Sequence, residues 1–179
     1  IIVVTGSASA SSDYNVNATN GGLMTAGTIT SGDGSTSTPD DIKFTGSMQI
    51  ENFHIVGDGS ANTNTQLVGN ITIDDFWEIE ENNTFDFNAN TAELHGDLAN
   101  AGTFDHTSGT LLINGSAGDQ SITNTVDTEI NFYNLTLDKT VGDLILAQGA
   151  SGETNLLVHN NLVFADNVTP ANANDAIIN

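Results

Sequence analysis

Short apolar bursts that alternate with polar residues, each closed by a polar turn, leave this chain little to form except β-structure. Ile71 and Ile73 flank Thr72, Trp77 and Ile79 alternate with Glu78 and Glu80, and Phe85 and Phe87 flank Asp86. Leu111 and Ile113 flank Leu112, Leu135 and Leu137 flank Thr136, and Leu144 and Leu146 flank Ile145. Leu156, Val158, Leu162 and Phe164 share one parity over a longer stretch. A period of two collects the apolar side chains on one face of a strand. Gly, Asn, Asp and Ser bound each burst, and these are turn residues. No window carries apolar residues at i, i+3, i+4 and i+7, so no helix is expected.

Short strands evenly spaced by polar turns fit a β-sandwich or a β-solenoid. Internal repetition favours the second. Sections opening near Asp41, Gln66, Thr84, Thr103, Ile130 and Asn155 run roughly 20–25 residues each, the range of coiled repeats, with a drifting period. A single coil buries too little to offset the entropy of ordering its backbone, so coils must stack. The expected fold is all-β, a parallel β-solenoid (β-helix) with Gly/Asn/Asp turns; the alternative is a β-sandwich, pilin-like subunit. Residues 21–168 would form the solenoid body. Residues 1–20 would be an apolar strand and polar spacer serving as an inter-subunit element, and 169–179 a tail with a terminal apolar strand.

Charge limits the partners. Two Lys+Arg stand against 23 Asp+Glu, a net charge of -21. Such a polyanion repels phosphate, so nucleic acid and anionic lipid are poor partners, while cations are good ones. Self-repulsion should destabilise the fold at low salt; at about 1 M salt the Debye length falls to about 3 Å and removes most of that cost. There is no cysteine. No apolar run approaches a membrane span. The chain begins at Ile1 rather than Met, which suggests a processed protein or a segment of a longer one.

The stretch from Gly96 to Ile122 carries an N-x-G-T-F step (Asn100 to Phe104), a G-T-x-x-x-N-G step (Gly109 to Gly115) and then Gln120; F-x-N-L-x-L follows at Phe132 to Leu137. Residues 95–164 thereby resemble a repeat of large bacterial surface proteins, the right-handed parallel β-helices of filamentous-haemagglutinin-like and autotransporter adhesins. The resemblance implies a solenoid at the cell surface, and implies fold and location better than it implies a ligand.

Candidate sites follow from residue chemistry. Asp33 and Asp58 lie in repeated GDGS turns, and Asp40-Asp41 and Asp74-Asp75 are adjacent carboxylates. Calcium takes six to eight oxygen ligands, and Gly turns expose carbonyls beside carboxylates; ordinary Asp-Gly turns are the plainer reading. The ribbon Asp74, Asp75, Glu78, Glu80 and Glu81 could be a glycosidase carboxylate pair. Only Lys43 and Lys139 exist to stabilise a transition state, and there is no Arg, so an enzyme is not expected. His54, His95, His106 and His159 form no metal-ligand spacing and read as single solvated histidines. Thr28-Ile29-Thr30, Thr36-Ser37-Thr38 and Thr63-Asn64-Thr65 are too irregular for a strict ice-binding array, and Thr is common on exposed strands anyway. Sequons at Asn17, Asn70, Asn82, Asn114, Asn134 and Asn167 are close to the number that chance produces. Lys139 shares the parity of Leu135 and Leu137 and could face inward. An inward lysine beside an Asn and a buried acid could form a side-chain crosslink, although a solvated turn lysine is the ordinary case.

Ile1, Ile2, Val3 and Val4 at one end and Ile177 and Ile178 at the other are β-branched and strand-like, with no charged or Pro guard of the kind that blunts exposed edges. They are the expected assembly residues, one copy's strand augmenting the next copy's sheet head to tail. The expected function is an extracellular structural protein, a subunit of a cell-surface fibre or a segment of an adhesin. It would have no cofactor beyond structural calcium, and its partners would be itself and surface glycans. The alternative is a carbohydrate- or ice-binding solenoid module.

Overall fold

The structure, a computed structural model, describes residues 2–4, 14–18, 24–31, 41–46, 48–55, 64–105, 107–116, 118–124, 129–148 and 156–165, with the backbone alone for 2–46 and 146–148. Among the described residues there are strands and no helix. They are β1 (Ile2–Val4), β2 (Tyr14–Ala18), β3 (Met24–Ser31), β4 (Asp41–Gly46), β5 (Met48–Ile55), β6 (Asn64–Val68), β7 (Ile71–Ile79) and β8 (Thr84–Asp86). Then follow β9 (Thr91–Leu94), β10 (Asp97–Asn100), β11 (Thr103–Asp105), β12 (Thr110–Ile113), β13 (Gln120–Asn124), β14 (Ile130–Leu137), β15 (Leu144–Gln148) and β16 (Leu156–Phe164).

One sheet runs β1-β3-β5-β7-β9-β12-β14-β16, widened by β10 beside β7, β13 beside β10 and β15 beside β13. The other runs β11-β8-β6-β4-β2. Every pairing is parallel. From β1 to β12 the chain crosses from one sheet to the other and returns one rung further on, and the described strands beyond β12 all belong to the first sheet; throughout, each ladder partner lies one coil away in sequence. Thr84 faces Thr103, 19 residues on; Met48 faces Ile71, 23 on; Ile130 faces Leu156, 26 on. The chain is a parallel β-solenoid with a drifting coil length. An antiparallel sandwich is excluded. The second sheet's strands from β4 onward, and then β14 and β16, open at Asp41, Asn64, Thr84, Thr103, Ile130 and Leu156, within two residues of the repeat openings legible in sequence.

Inward columns run along the stack because parallel rungs in register place like parities on top of one another. Met48, Ile71, Ala92, Leu111 and Leu135 form one column, and Ile50, Ile73, Leu94, Ile113 and Leu137 the next; all are buried. A third holds Phe53, Trp77, Leu98 and Ile122. Trp77 stacks on Phe53 with centroids 6.1 Å apart and meets Phe85 and Phe104 edge-on at 4.7 and 5.4 Å. Phe104 continues the contact to Phe132 at 5.0 Å. These aromatic side chains, drawn from both sheets, thus share one core.

Glycines mark where rungs press together. A Cβ on Gly102 would lie 2.5 Å from the Ile79 side chain, and one on Gly109 would lie 2.2 Å from Phe87 Cβ. Gly102 belongs to the N-x-G-T-F step and Gly109 to the G-T-x-x-x-N-G step, and other residues of these motifs and of F-x-N-L-x-L also serve the stack: Phe104, Phe132, Leu135 and Leu137 are core. Asn134 pegs the turn below by donating to the Gly109 carbonyl at 2.9 Å.

The first sheet bends between its two halves, and the bend widens along the stack. A register shift sets Glu51 against Asp74 and Asp75, a bulge of the kind that bends a strand. Strict alternation through β7 would turn Asp75 inward, but at the bulge it is exposed. His95 and Gly96 occupy the next rung's bend; above them the longer connections from β12 to β13 and from β14 to β15 take their place. The added space is filled by Gln120 (2% exposed) and Lys139 (6%). Lys139 therefore faces inward, as its parity indicates, and is not a solvated turn lysine.

Candidate assembly ends and acidic face

The two ends of the described stack differ from its middle. Ile2, Val3 and Val4 lie parallel on Ile29, Thr30 and Ser31 of β3, so β1 forms an ordinary partial rung of its own chain. Among the described residues nothing pairs with its outer edge. At the other end β16 pairs with β14 alone. Its inward residues Leu156, Val158 and Leu162 pack on the core yet are only half-buried, and Val163 and Phe164 are exposed at 46% and 36%. Side chains that are buried one rung below are open here because no described rung covers them. Ile1, Ile177 and Ile178 lie outside the described residues.

Several acidic residues of the outer face are held by hydrogen bonds from amides, imidazoles and backbone N–H groups. Asp74 accepts from the Gln49 amide at 2.9 Å, and its other oxygen lies 3.0 Å from His95 Nδ1. His95 Nε2 lies 3.0 Å from Glu93 Oε1, which also accepts from the Asn114 amide at 2.9 Å. This chain of contacts, Gln49–Asp74–His95–Glu93–Asn114, ties β5, β7, β9 and the loop after β12 across successive rungs. An ionised carboxylate only accepts, so His95 satisfies both neighbours only as an imidazolium, donating from both ring nitrogens. His54 likewise lies 2.9 Å from Glu78. Neither is the solvated single histidine expected from spacing. His159 lies 3.0 Å from Asn131 Oδ1 in an exposed position, and His106 is outside the described residues.

Other aspartates cap backbone. Asp86 and Asp105 accept from the backbone N–H groups of Asn88 and Thr107, two residues on, at 2.7 and 3.0 Å. Asp97 and Asp119 reach the next rung instead, accepting from the Ser121 and Asp143 N–H groups at 2.7 and 3.0 Å. A chain with almost no basic side chains thus finds its counter-dipoles in the main chain.

Burial pushes the Glu93 carboxyl up, but the hydrogen bonds from His95 and Asn114 and the His95 charge outweigh it, holding it below the ordinary range. A lowered carboxyl contributes stability above its unfolded-state pKa, about 4.3 for Glu, and loses it as pH falls through the folded value. Glu93→Gln should therefore destabilise at neutral pH, and the gap to the parent should close below about pH 4. Denaturant titrations at a series of pH values check this; a gap independent of pH would contradict it.

Of the calcium candidates, Asp33, Asp40 and Asp58 lie outside the described residues. Asp41 opens β4 opposite Asn64, its side chain undescribed. Asp74 is engaged as above, and Asp75 is exposed at the bend. Among the described residues no group of three or more His, Cys, Asp or Glu is placed to hold a metal ion. Thr28 and Thr30 face Asn52 and His54, so that pair does not propagate to the next rung. Of the acid ribbon, Glu78 is paired with His54, and Glu80 lies past the end of β7. Sequence reading missed the Gln120–Lys139 pair and the His95 bridge; the inward parity of Lys139 was the one signal pointing to the first.

Comparison with protein-family models, with curated proteins and with solved structures found no match to this chain.

Proposed function

We propose that this chain is a structural element of an extracellular fibre or surface adhesin that grows by adding rungs end to end. The observation that carries the reading is the last described rung. Its inward side chains Leu156, Val158 and Leu162 are half-open, and among the described residues no strand pairs with the outer edge of β16. A β1 edge free among the described residues at the opposite end of the stack is its complement. Joining one to the other by translation along the axis is a heterologous contact, which propagates into an open filament. The resemblance of residues 95–164 to surface repeats supports the extracellular setting.

Copies carrying a charge of -21 repel one another, so assembly and stability should both rise with ionic strength. Electron microscopy and sedimentation of the purified chain at high protein and salt should show filaments. Deleting residues 1–4, or introducing Val158→Asp with Leu162→Asp, should abolish them while circular dichroism still reports a folded β-protein. A chain that stays monomeric under those conditions, or variants that still form filaments, would overturn the proposal. A melting temperature indifferent to salt would remove the electrostatic part.

A further inference from the structure

Lys139 is the one lysine whose side chain is described, and it is buried in the widened bend against a buried carboxamide. Its Nζ donates to Gln120 Oε1 at 2.8 Å and to the Gly118 carbonyl at 3.2 Å. The Gln120 amide is fixed at both of its atoms. Oε1 also accepts from the Gly115 N–H at 3.0 Å, while Nε2 donates to the Gly96 and Leu94 carbonyls at 2.9 and 3.3 Å. An amine is thus held against an amide group whose oxygen already faces a backbone donor, and both side chains are largely covered. Pre-organised contact of this kind replaces the encounter of two reactants, and a donor aimed at the carbonyl oxygen stabilises the charge that develops there.

We infer that Lys139 and Gln120 form a covalent side-chain amide that joins the start of β13 to the loop before β15. The uncharged Nζ adds its electron pair to Gln120 Cδ, and charge moves onto Oε1 beside the Gly115 N–H. The Cδ–Nε2 bond then breaks, and Nε2 takes a proton released by Nζ and leaves as ammonia. One amine and one primary amide become one secondary amide and one ammonia, with no oxidant or other reactant. Burial lowers the Lys139 pKa; the nearby Asp119, Asp143 and Asp97 raise it but do not restore the ordinary value. The neutral amine is therefore more accessible than in a solvated lysine. The expected partner for such a lysine was an Asn beside a buried acid; the structure offers a Gln, and the neighbouring aspartates are exposed.

The chain has two lysines, Lys43 and Lys139, and no arginine, and this makes the test simple. The denatured protein should be lighter than its sequence mass by one ammonia. Trypsin should cut it after Lys43 but not after Lys139, because an acylated lysine is not cleaved. Gln120→Leu and Lys139→Met should each restore the full sequence mass. Ammonia loss by ring closure at Asn114-Gly115 would give the same mass but leave Lys139 cleavable, and that result overturns the inference. A full sequence mass with complete cleavage at Lys139, after the folded protein has been held at mildly alkaline pH, overturns it equally. Because the wild-type digest decides alone, variants that fail to fold do not blunt the test.

Discussion

Trp77→Ala should destabilise the protein by about 3–5 kcal/mol, the range for emptying an aromatic site in a packed core. Trp77 is fully buried and touches Phe53, Phe85, Phe87 and Phe104 at centroid distances of 6.1, 4.7, 6.4 and 5.4 Å. These rings come from three successive rungs and both sheets, so the cavity would sit where the two sheets meet. Trp77→Phe should be far milder. It keeps an aromatic ring in the stack and removes the indole N–H, which is buried with no hydrogen-bond partner, a group that costs about 1–3 kcal/mol when left unpaired. Denaturant unfolding followed by circular dichroism measures both. In a solenoid each rung contacts only its neighbours, so hydrogen exchange in Trp77→Ala should rise most in β5, β7, β8 and β11. A loss spread evenly along the stack would show that the aromatic cluster is not the local keystone.

Gly109→Ala should be nearly as damaging, and Gly118→Ala should not. Both glycines have positive φ, 90° and 72°. An L-residue there costs roughly 1–2 kcal/mol. A Cβ at Gly118 would meet nothing within 4 Å, whereas at Gly109 it would lie 2.2 Å from Phe87 Cβ and 2.9 Å from the Asn90 carbonyl. Relieving that overlap means separating two rungs, a further penalty of about 1–3 kcal/mol. The difference between the two variants, measured by equilibrium unfolding, isolates rung-to-rung contact from backbone strain. Equal costs would mean that the turn at Gly109 yields freely and that close approach there does not matter.

Parity and punctuation carried most of the fold into the sequence. Inward positions such as Ile71, Ile73, Trp77, Ile79, Leu135 and Leu137 were legible because the two-residue period of a strand is local and one face must be buried. The openings at Thr84, Thr103 and Ile130 were legible because polar turns mark where each coil begins again. Lys139 followed the same parity inward. Asp75 broke it, because alternation describes a straight strand and the rung bends there.

What lies across from each side chain was decided only by the folded stack. Coil length varies along the chain, from 19 residues between Thr84 and Thr103 to 28 between Tyr14 and Ile42. Neighbours on adjacent rungs are therefore set by the lengths of intervening loops, which composition does not encode. His95 falls between Asp74 and Glu93, and Lys139 falls on Gln120, for that reason. Several carboxylates that looked in sequence like free charge, with Asp74 among the candidate metal ligands, are taken up by hydrogen bonds. A parallel ladder brings an amide, imidazole or backbone N–H from the neighbouring coil, or from the next turn, against Asp74, Glu78, Asp86, Glu93, Asp97, Asp105 and Asp119.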